Sequence, residues 1–139
     1  VSSVATPNGI VASYYRHKCA TFTNGKIKCW GDGVYGKLGV GNQTDYGRKP
    51  STVGDNIPFV NTTDLIDTTI PMHHRVAMGT HHTCAIFAGG QLKCWGLGNQ
   101  GQLGQGNTTN IGDGVGLAVS AAATVAVGTG LSSSFAWSA

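Results

Sequence analysis

The residues that come closest to a reactive site are histidines and cysteines gathered in the second half of the chain. The cluster comprises His81, His82, Cys84 and Cys94, with His73 and His74 just upstream. Imidazole nitrogen and thiolate sulfur are ligands that zinc prefers, and structural zinc sites usually contain two cysteines separated by two to four residues. Here nine residues separate the two cysteines. The spacing therefore disfavours a metal centre, and the sequence predicts no bound cofactor.

No other set of residues indicates catalysis. The serines at 132–134 lack the G-x-S-x-G setting of a hydrolase nucleophile. The six acidic residues are all aspartates, and none is paired at a spacing that suggests acid–base chemistry. The loops "GDGVYGKLG" and "GLGNQGQLG" match the dinucleotide-binding pattern G-x-G-x-x-G, but no helix is expected after them. Trp30 and Trp95 are able to stack on a sugar ring, although packing explains them better. We therefore expect a protein that is not an enzyme.

An internal repeat accounts for most of these residues. Residues 11–47 align with residues 76–112 without a gap, and 19 of the 37 positions are identical. Such similarity at a fixed offset indicates a structural repeat. The predicted organisation is a single repeat domain, 1–139, made of repeat 1 at 11–75 with an insert at 48–72, repeat 2 at 76–124 and a partial repeat 3 at 125–139.

The composition favours short strands joined by tight turns. Glycine occurs 22 times and charged residues make up only 11% of the chain, while β-branched and aromatic residues outnumber strong helix formers. The pattern predicts strands at 9–15, 63–70 and 74–78, and two more in each cysteine-containing hairpin. A net charge of +3 is too weak and too scattered for a nucleic-acid surface. No run of about 18 apolar residues occurs, so no membrane span is expected.

The hairpin register favours two disulfides, Cys19–Cys29 and Cys84–Cys94, because each pair then lies within one copy of the repeat. Four cysteines allow three pairings. For Cys19 to face Cys29, the connecting loop must be residues 23–25, a type I turn closed by a left-handed glycine. The same count gives a loop at 88–90 in the second copy. Zinc ligation and free thiols remain the alternatives. Paired cysteines in a small domain predict an oxidising compartment, and hence a secreted or extracellular location.

Three N-x-S/T sequons predict N-linked glycans. They begin at Asn42, Asn61 and Asn107, and each lies in a polar, loop-like stretch. The first and last occupy the same repeat position, so they count as little more than one independent signal. The chain also begins with Val and has no signal-peptide pattern, so we expect either a processed secretory protein or a piece of a longer one.

The repeat resembles the RCC1 (regulator of chromosome condensation) family. The resemblance is carried by "HTCAIFAGGQLKCWGLGNQGQLGQGN" at 82–107 and "HKCATFTNGKIKCWGDGVYGKLGVGN" at 17–42, with their hairpin turning on glycine, Cys-Trp-Gly step and glycine-rich loop. It implies an all-β fold in which each repeat is a four-stranded blade of a β-propeller, usually of seven blades. The bridged cysteines look like the secreted branch of the family. The fold itself implies no particular activity.

Two full repeats and the start of a third cannot close a propeller within one chain. Blades cover their faces only against neighbouring blades, so apolar faces and strand edges are left over at both ends. The chain is then a piece of a longer propeller, one of several copies in a ring, or one of many copies added head to tail in a filament. Residues 130–137 are expected either to complete a blade with residues 1–10 of the next copy or to fold back on their own chain.

We therefore expect a secreted, non-enzymatic structural glycoprotein whose RCC1-like blades assemble between chains into an extracellular fibre or other homopolymer. Its expected partners are other copies of the same chain, with neither nucleic acid nor a membrane involved. The alternative is a binding module, such as an adhesin, a lectin-like domain or an inhibitor, that is a fragment of a larger closed β-propeller.

Overall fold

Two antiparallel sheets of three strands make up the part of the chain that the computed structural model describes, residues 5–13, 15–71 and 74–127. The strands are β1 Pro7–Ala12, β2 His17–Phe22, β3 Ile27–Gly31, β4 Val76–Met78, β5 His82–Phe87 and β6 Gln91–Gly96. The first sheet has the order β1-β2-β3 and the second the order β4-β5-β6. Short 3₁₀ turns lie at Val34–Gly36, Pro50–Thr52, Gly54–Asn56 and Val119–Ala121. The predicted all-β class is confirmed, and the sheets do not close into a ring within the described ranges.

The turns of the two central hairpins set their register. Cys19 lies directly opposite Cys29, and Cys84 lies directly opposite Cys94. The first turn closes on Gly25 with φ 79°, as a type I turn followed by a left-handed glycine requires. The second turn differs from this prediction because Gly89 and Gly90 both have positive φ, 82° and 76°. Two consecutive glycines make that backbone accessible without steric strain.

The fourth strand that the family resemblance implies is reduced to a single contact beside each sheet. Phe59 forms an isolated bridge with Lys28, and the Val60 N–H donates to the Ile27 carbonyl at 2.8 Å. The same contact recurs 65 residues later, where the Val125 N–H donates to the Leu92 carbonyl at 2.8 Å. Each described blade therefore has three strands and a short edge segment instead of four full strands.

Contacts in the loops before these edge segments recur with the same spacing. The Gly47 N–H donates to the Thr52 carbonyl at 2.9 Å, and the Gly112 N–H donates to the Leu117 carbonyl at 2.8 Å. The 3₁₀ turn at Gly54–Asn56 likewise has its counterpart at Val119–Ala121. Residues 48–60 thus make backbone contacts that recur at residues 113–125, and the insert predicted at 48–72 stays a prediction. The boundaries predicted for the repeats themselves stay predictions.

The strand predicted at 63–70 is wrong in extent. Only Ile66 forms a bridge there, with Phe87 of β5, and the Ala88 N–H donates to the Leu65 carbonyl at 2.8 Å. The chain then leaves the sheet and returns at Arg75, whose carbonyl accepts the Ile86 N–H at 2.9 Å. The excursion is favoured by Asp67, whose carboxylate accepts both the backbone N–H and the hydroxyl of Thr69.

Strand alternation gives each sheet two faces, which we name by the residue that marks them. The cysteine face of the first sheet consists of His17, Cys19, Thr21, Ile27 and Cys29. The tryptophan face of the second sheet consists of Thr83, Ala85, Phe87, Lys93 and Trp95. All ten residues are buried, and their apolar members belong to one hydrophobic core. The core is therefore formed where these two unlike faces meet, which we call the seam.

Some sequence predictions fall on parts of the chain outside this description. The strand-addition segment at 130–137 and most of the partial third repeat lie beyond the described residues. Within those residues, no helix has the length and hydrophobicity needed to span a membrane.

Candidate interaction site

A buried chain of hydrogen bonds crosses the seam. The Thr83 hydroxyl donates to the Lys37 carbonyl at 2.9 Å, so its oxygen is left to accept from His17 Nε2, also at 2.9 Å. The second lone pair of the Lys37 carbonyl accepts the Trp95 Nε1–H at 3.1 Å. His17 therefore carries its proton on Nε2, and every buried polar side-chain atom in this hydrogen-bond network has a partner.

The seam also buries a lysine side chain. The Lys37 side chain is 1% exposed, and its ammonium lies 2.8 Å from Asp32 Oδ2 and 3.4 Å from His81 Nδ1. Burial is the largest single effect and opposes ionisation of Asp32, but the hydrogen bonds from Lys37 and the Val34 N–H, together with the charge of Lys37, hold the pKa of that carboxyl below its ordinary value. The ion pair lies within the loop after β3, and the contacts of the Lys37 ammonium with His81 and with the Thr80 carbonyl link that loop to the loop before β5.

His17 is held neutral by the same surroundings. Burial is the largest cause, and the nearby Lys37 ammonium is the second; together they lower the pKa of His17 to about 4. His82, its counterpart in the second sheet, is only half-buried, and burial also lowers its pKa.

Polar loops gather at the end of the sheets where β2 and β5 begin and β3 and β6 end. A cavity of 230 Å³ opens there across the seam, lined by Tyr15, Arg16, Asp32, Lys37, Thr80 and His81. Tyr35 packs edge-on against the His81 ring at 5.1 Å and adopts φ 62°, a left-handed conformation uncommon for a side chain of this size. We call this region the loop end.

The cysteine face of the second sheet is a seam face without a covering blade among the described residues. It consists of His82, Cys84, Ile86, Leu92 and Cys94, the counterparts of five residues that are fully buried in the first sheet. Cys94 is buried, but the other four are only half-buried. A small groove of 170 Å³ runs along it beside Met78. This face therefore corresponds to the first sheet's side of the seam, without an opposing tryptophan face.

The tryptophan face of the first sheet corresponds to the second sheet's side of the seam. It consists of Lys18, Ala20, Phe22, Lys28 and Trp30, with Lys26 at the turn. Lys18 is exposed, whereas its counterpart Thr83 is fully buried. Lys28 lies 4.9 Å from the ring centroid of Phe59, and the two phenylalanines, Phe22 and Phe59, pack edge to face at 5.6 Å. The face is therefore both aromatic and cationic.

The four cysteines form two disulfides, Cys19–Cys29 and Cys84–Cys94, each across one hairpin. No group of three or more potential ligands that could hold a metal occurs among the described residues. His81 lies near Lys37 and not near a thiolate, and His73 lies outside the description. The histidines and cysteines once considered as zinc ligands are thus divided: Cys84 and Cys94 form a disulfide, His82 lies on the cysteine face of the second sheet, and His81 lies at the loop end.

The three sequons lie on loops. Asn61 and Asn107 are exposed and Asn42 is half-buried. Asn42 and Asn107 each accept a hydrogen bond from the backbone N–H two residues later, at 3.0 Å, which forms an Asx turn. The side-chain amide of each remains available, so the geometry is compatible with glycosylation at these positions, which stays a prediction.

Two residues of the seam polar network, Lys37 and Thr83, were not singled out from the sequence. The repeat comparison draws attention to identical positions, whereas Lys37 and Thr83 differ from their repeat counterparts, Gln102 and Lys18. The available signal was the difference between the repeats. In each of these two pairs the residues differ because one lies inside the seam and its counterpart lies at an end of the two-blade stack.

The unlike faces, the short outer edges and the recurring contacts define a protein class, a β-propeller section of two blades. Residues 74–102 match the Regulator of chromosome condensation (RCC1) repeat. The chain is 32% identical over 109 residues to the E3 ubiquitin-protein ligase HERC2 of Homo sapiens and 29% identical over 100 residues to the Ultraviolet-B receptor UVR8 of Arabidopsis thaliana. These alignments cover 78% and 72% of this chain but only 2% and 20% of those relatives. The chain therefore contains an RCC1 repeat and is similar to proteins of the RCC1 repeat family.

Solved structures agree on the fold. Prp20p from Saccharomyces cerevisiae superposes with a TM-score of 0.55 at 17% identity, over 79% of this chain and 25% of that one. Human WBSCR16 gives a TM-score of 0.55 at 15% identity, over 76% of this chain and 24% of that one. The chain thus spans about a quarter of these structures.

Proposed function

We propose that this chain is a two-blade section of a larger closed RCC1-type β-propeller that acts as a binding module and not as an enzyme. The observation that carries the proposal is the unlike exposure of equivalent faces. The cysteine face is buried in the first sheet and, apart from Cys94, half-buried in the second. The tryptophan face is buried in the second sheet and, apart from Ala20, half-buried or exposed in the first. Each end therefore matches a face that is buried in the seam, as expected of blades within a stack.

The length of the solved neighbours supports a larger ring. Propellers have typically four to eight blades, and this chain, with two described blades, spans about a quarter of the length of the neighbouring structures. Two blades in a quarter of the length agree with a ring at the upper end of that range. A closed ring also removes the exposed strand edges that make an open stack prone to aggregation.

A protein partner is the ligand class that we propose for the module. Prp20p is described by its binding properties to Gsp1p and histones, and UVR8 is a receptor. The loop end of this chain offers a polar, concave surface for such a partner, with Arg16, Asp32 and His81 lining its cavity. Ligase activity belongs to HERC2, of which the chain spans 2%, and we do not extend it to this chain.

A head-to-tail fibre is the second candidate, because it would use the same two end faces. It differs only in the identity of the neighbour, which would be another copy of the chain. The sedimentation behaviour and electron micrographs of the purified protein distinguish the two candidates. We expect single particles at micromolar concentration; long filaments would support the fibre and contradict the propeller section.

The transcript that encodes the chain provides a direct test of the larger ring. We expect further RCC1-type repeats to be encoded on one or both sides of this segment, on the order of two to six in number. A transcript that encodes only the present blades, together with filaments in the micrographs, would refute the proposal.

We also propose a secreted location, because both disulfides need an oxidising compartment to form and persist. Intact mass spectrometry of the natural protein, with and without reductant and glycosidase, tests this. We expect reduction to add four hydrogen atoms, and glycosidase to remove mass from at least one of the three sequons. Free thiols in freshly isolated material, or an unmodified mass at all three asparagines, would contradict the corresponding part.

A further inference from the structure

The internal seam provides a template for what each end face accepts. In the seam, His17 of the first sheet lies against Thr83 of the second, with 2.9 Å between Nε2 and Oγ1. Thr83 is 0% exposed, so the pocket around it has no room for a longer side chain. A blade that docks on the first sheet in the same geometry places its own counterpart of His17 against the counterpart of Thr83, which is Lys18.

Lys18 changes the chemistry of that contact. Its side chain is longer than threonine and carries a positive charge, and it makes no ion pair with any described residue. Lys26 and Lys28 lie on the same face, again without an ion pair to a described aspartate. A buried ammonium without a compensating charge is strongly unfavourable. The docking blade must therefore supply negative charge.

The second sheet of an identical copy does not meet this requirement. Its cysteine face presents His82 at the position in question, and the rest of that face is Cys84, Ile86, Leu92 and Cys94. No acidic residue is among them. Within the chain a buried lysine has a carboxylate partner: Lys93, on the second tryptophan face, is paired at 2.8 Å with Asp64, which comes from the segment beside the same sheet. The Thr6 carbonyl accepts the Thr23 N–H in the same way that the Leu65 carbonyl accepts the Ala88 N–H. Ala5 therefore occupies the position before β1 that corresponds to Asp64.

We propose that the tryptophan face of the first sheet docks a different RCC1-type blade, one that carries Asp or Glu where this chain has His17 and His82. The proposal rests on the proposed function, since it assumes that the end faces accept further blades. Lys18 then acts as a selectivity residue: it admits an acidic neighbour and rejects a second copy of this chain. Its charge keeps the two ends of identical chains from joining.

Self-association of the full chain tests this rule, because either end can be changed to fit the other. The probes are the chain itself and its variants Lys18→Thr, His82→Glu and the double variant, each followed by sedimentation equilibrium. Lys18→Thr recreates the seam pair His–Thr, and His82→Glu supplies the carboxylate. We expect each single variant to self-associate at least about tenfold more tightly than the unchanged chain, and the double variant to lose that gain.

Two matched controls account for net charge and for surface changes in general. Lys49 and Gln100 are exposed loop residues, and Lys49→Thr and Gln100→Glu make the same changes in net charge away from both end faces. We expect neither control to alter self-association. Far-ultraviolet circular dichroism verifies that each variant keeps the fold of the unchanged chain.

The outcomes separate this proposal from the proposed function. If the unchanged chain already associates as tightly as the single variants, the acidic-neighbour rule is overturned while docking at the end faces stands. If Lys18→Thr strengthens self-association and His82→Glu does not, the requirement for a carboxylate is overturned, and docking of blades at the end faces again stands. If neither single variant exceeds its control, both the rule and the docking of blades at these faces are overturned.

Discussion

Acidification should loosen the seam through one histidine. His17 has a pKa of about 4 in the folded protein, against an ordinary value of 6.5, because it is buried and lies near Lys37. The unfolded chain therefore binds a proton at higher pH than the folded chain does. Stability is fully present above pH 6.5 and falls as the pH decreases toward 4. A shift of 2.5 pKa units corresponds to a loss of about 3 kcal/mol once both states are protonated.

The measurement is urea unfolding followed by tryptophan fluorescence between pH 7.5 and 4.5, with both disulfides intact. Within this window the linkage relation gives a loss of about 2.5 kcal/mol for the unchanged chain. His17→Gln keeps an N–H donor near Thr83 but cannot titrate, so we expect its stability to change much less over the same range. The difference between the two slopes isolates the histidine from the aspartates, which titrate in both proteins. Parallel slopes for the two proteins would refute the argument that His17 is held neutral by the seam.

The remaining predictions concern single contacts, and all are measured as changes in the free energy of unfolding by urea. Thr83→Val removes the hydroxyl between His17 and the Lys37 carbonyl; we expect a loss of about 1–3 kcal/mol, because a buried N–H then lacks an acceptor, and a change within about 0.5 kcal/mol would contradict the network. Asp64→Asn removes the partner of buried Lys93; we expect a loss of about 1–2 kcal/mol, since Asp64 is partly solvated, whereas an unchanged midpoint would mean that the pair contributes nothing. Replacing both cysteines of the Cys19–Cys29 disulfide with alanine should cost about 2–3 kcal/mol, and a wild-type midpoint would refute the cross-link as a stabiliser.

Local sequence signals predicted the hairpins well because their determinants are close together in the chain. The equal spacing of the cysteines and the glycine that ends the turn both specify that Cys19 faces Cys29, and this is the pairing in the structure. The strand expected at 63–70 failed for a physical reason. Its residues have strand-forming side chains, but Asp67 and Thr69 satisfy each other's polar groups in a turn and take the chain away from β5.

The seam was beyond the reach of sequence reasoning because it depends on which of two equivalent faces is covered. Residues 48–60 and 113–125 share almost no identities, yet they make the same contacts, since backbone hydrogen bonds tolerate nearly any side chain. Lys37 would be assigned to the surface by type alone, and only the aspartate and carbonyl around it make its burial tolerable. Position in the stack, and not residue type, decides these environments.

The placement of the two disulfides has a mechanical consequence. Each one fastens neighbouring strands of the same hairpin, and no covalent bond other than the backbone joins one blade to the next among the described residues. A pulling force applied along the polypeptide would therefore separate whole blades first, leaving about eleven residues in each stapled hairpin that cannot be extended until the sulfur–sulfur bond is cut. Under tension such a protein would lengthen in steps of one blade, and the residues enclosed by each disulfide would extend only after a reductant breaks it.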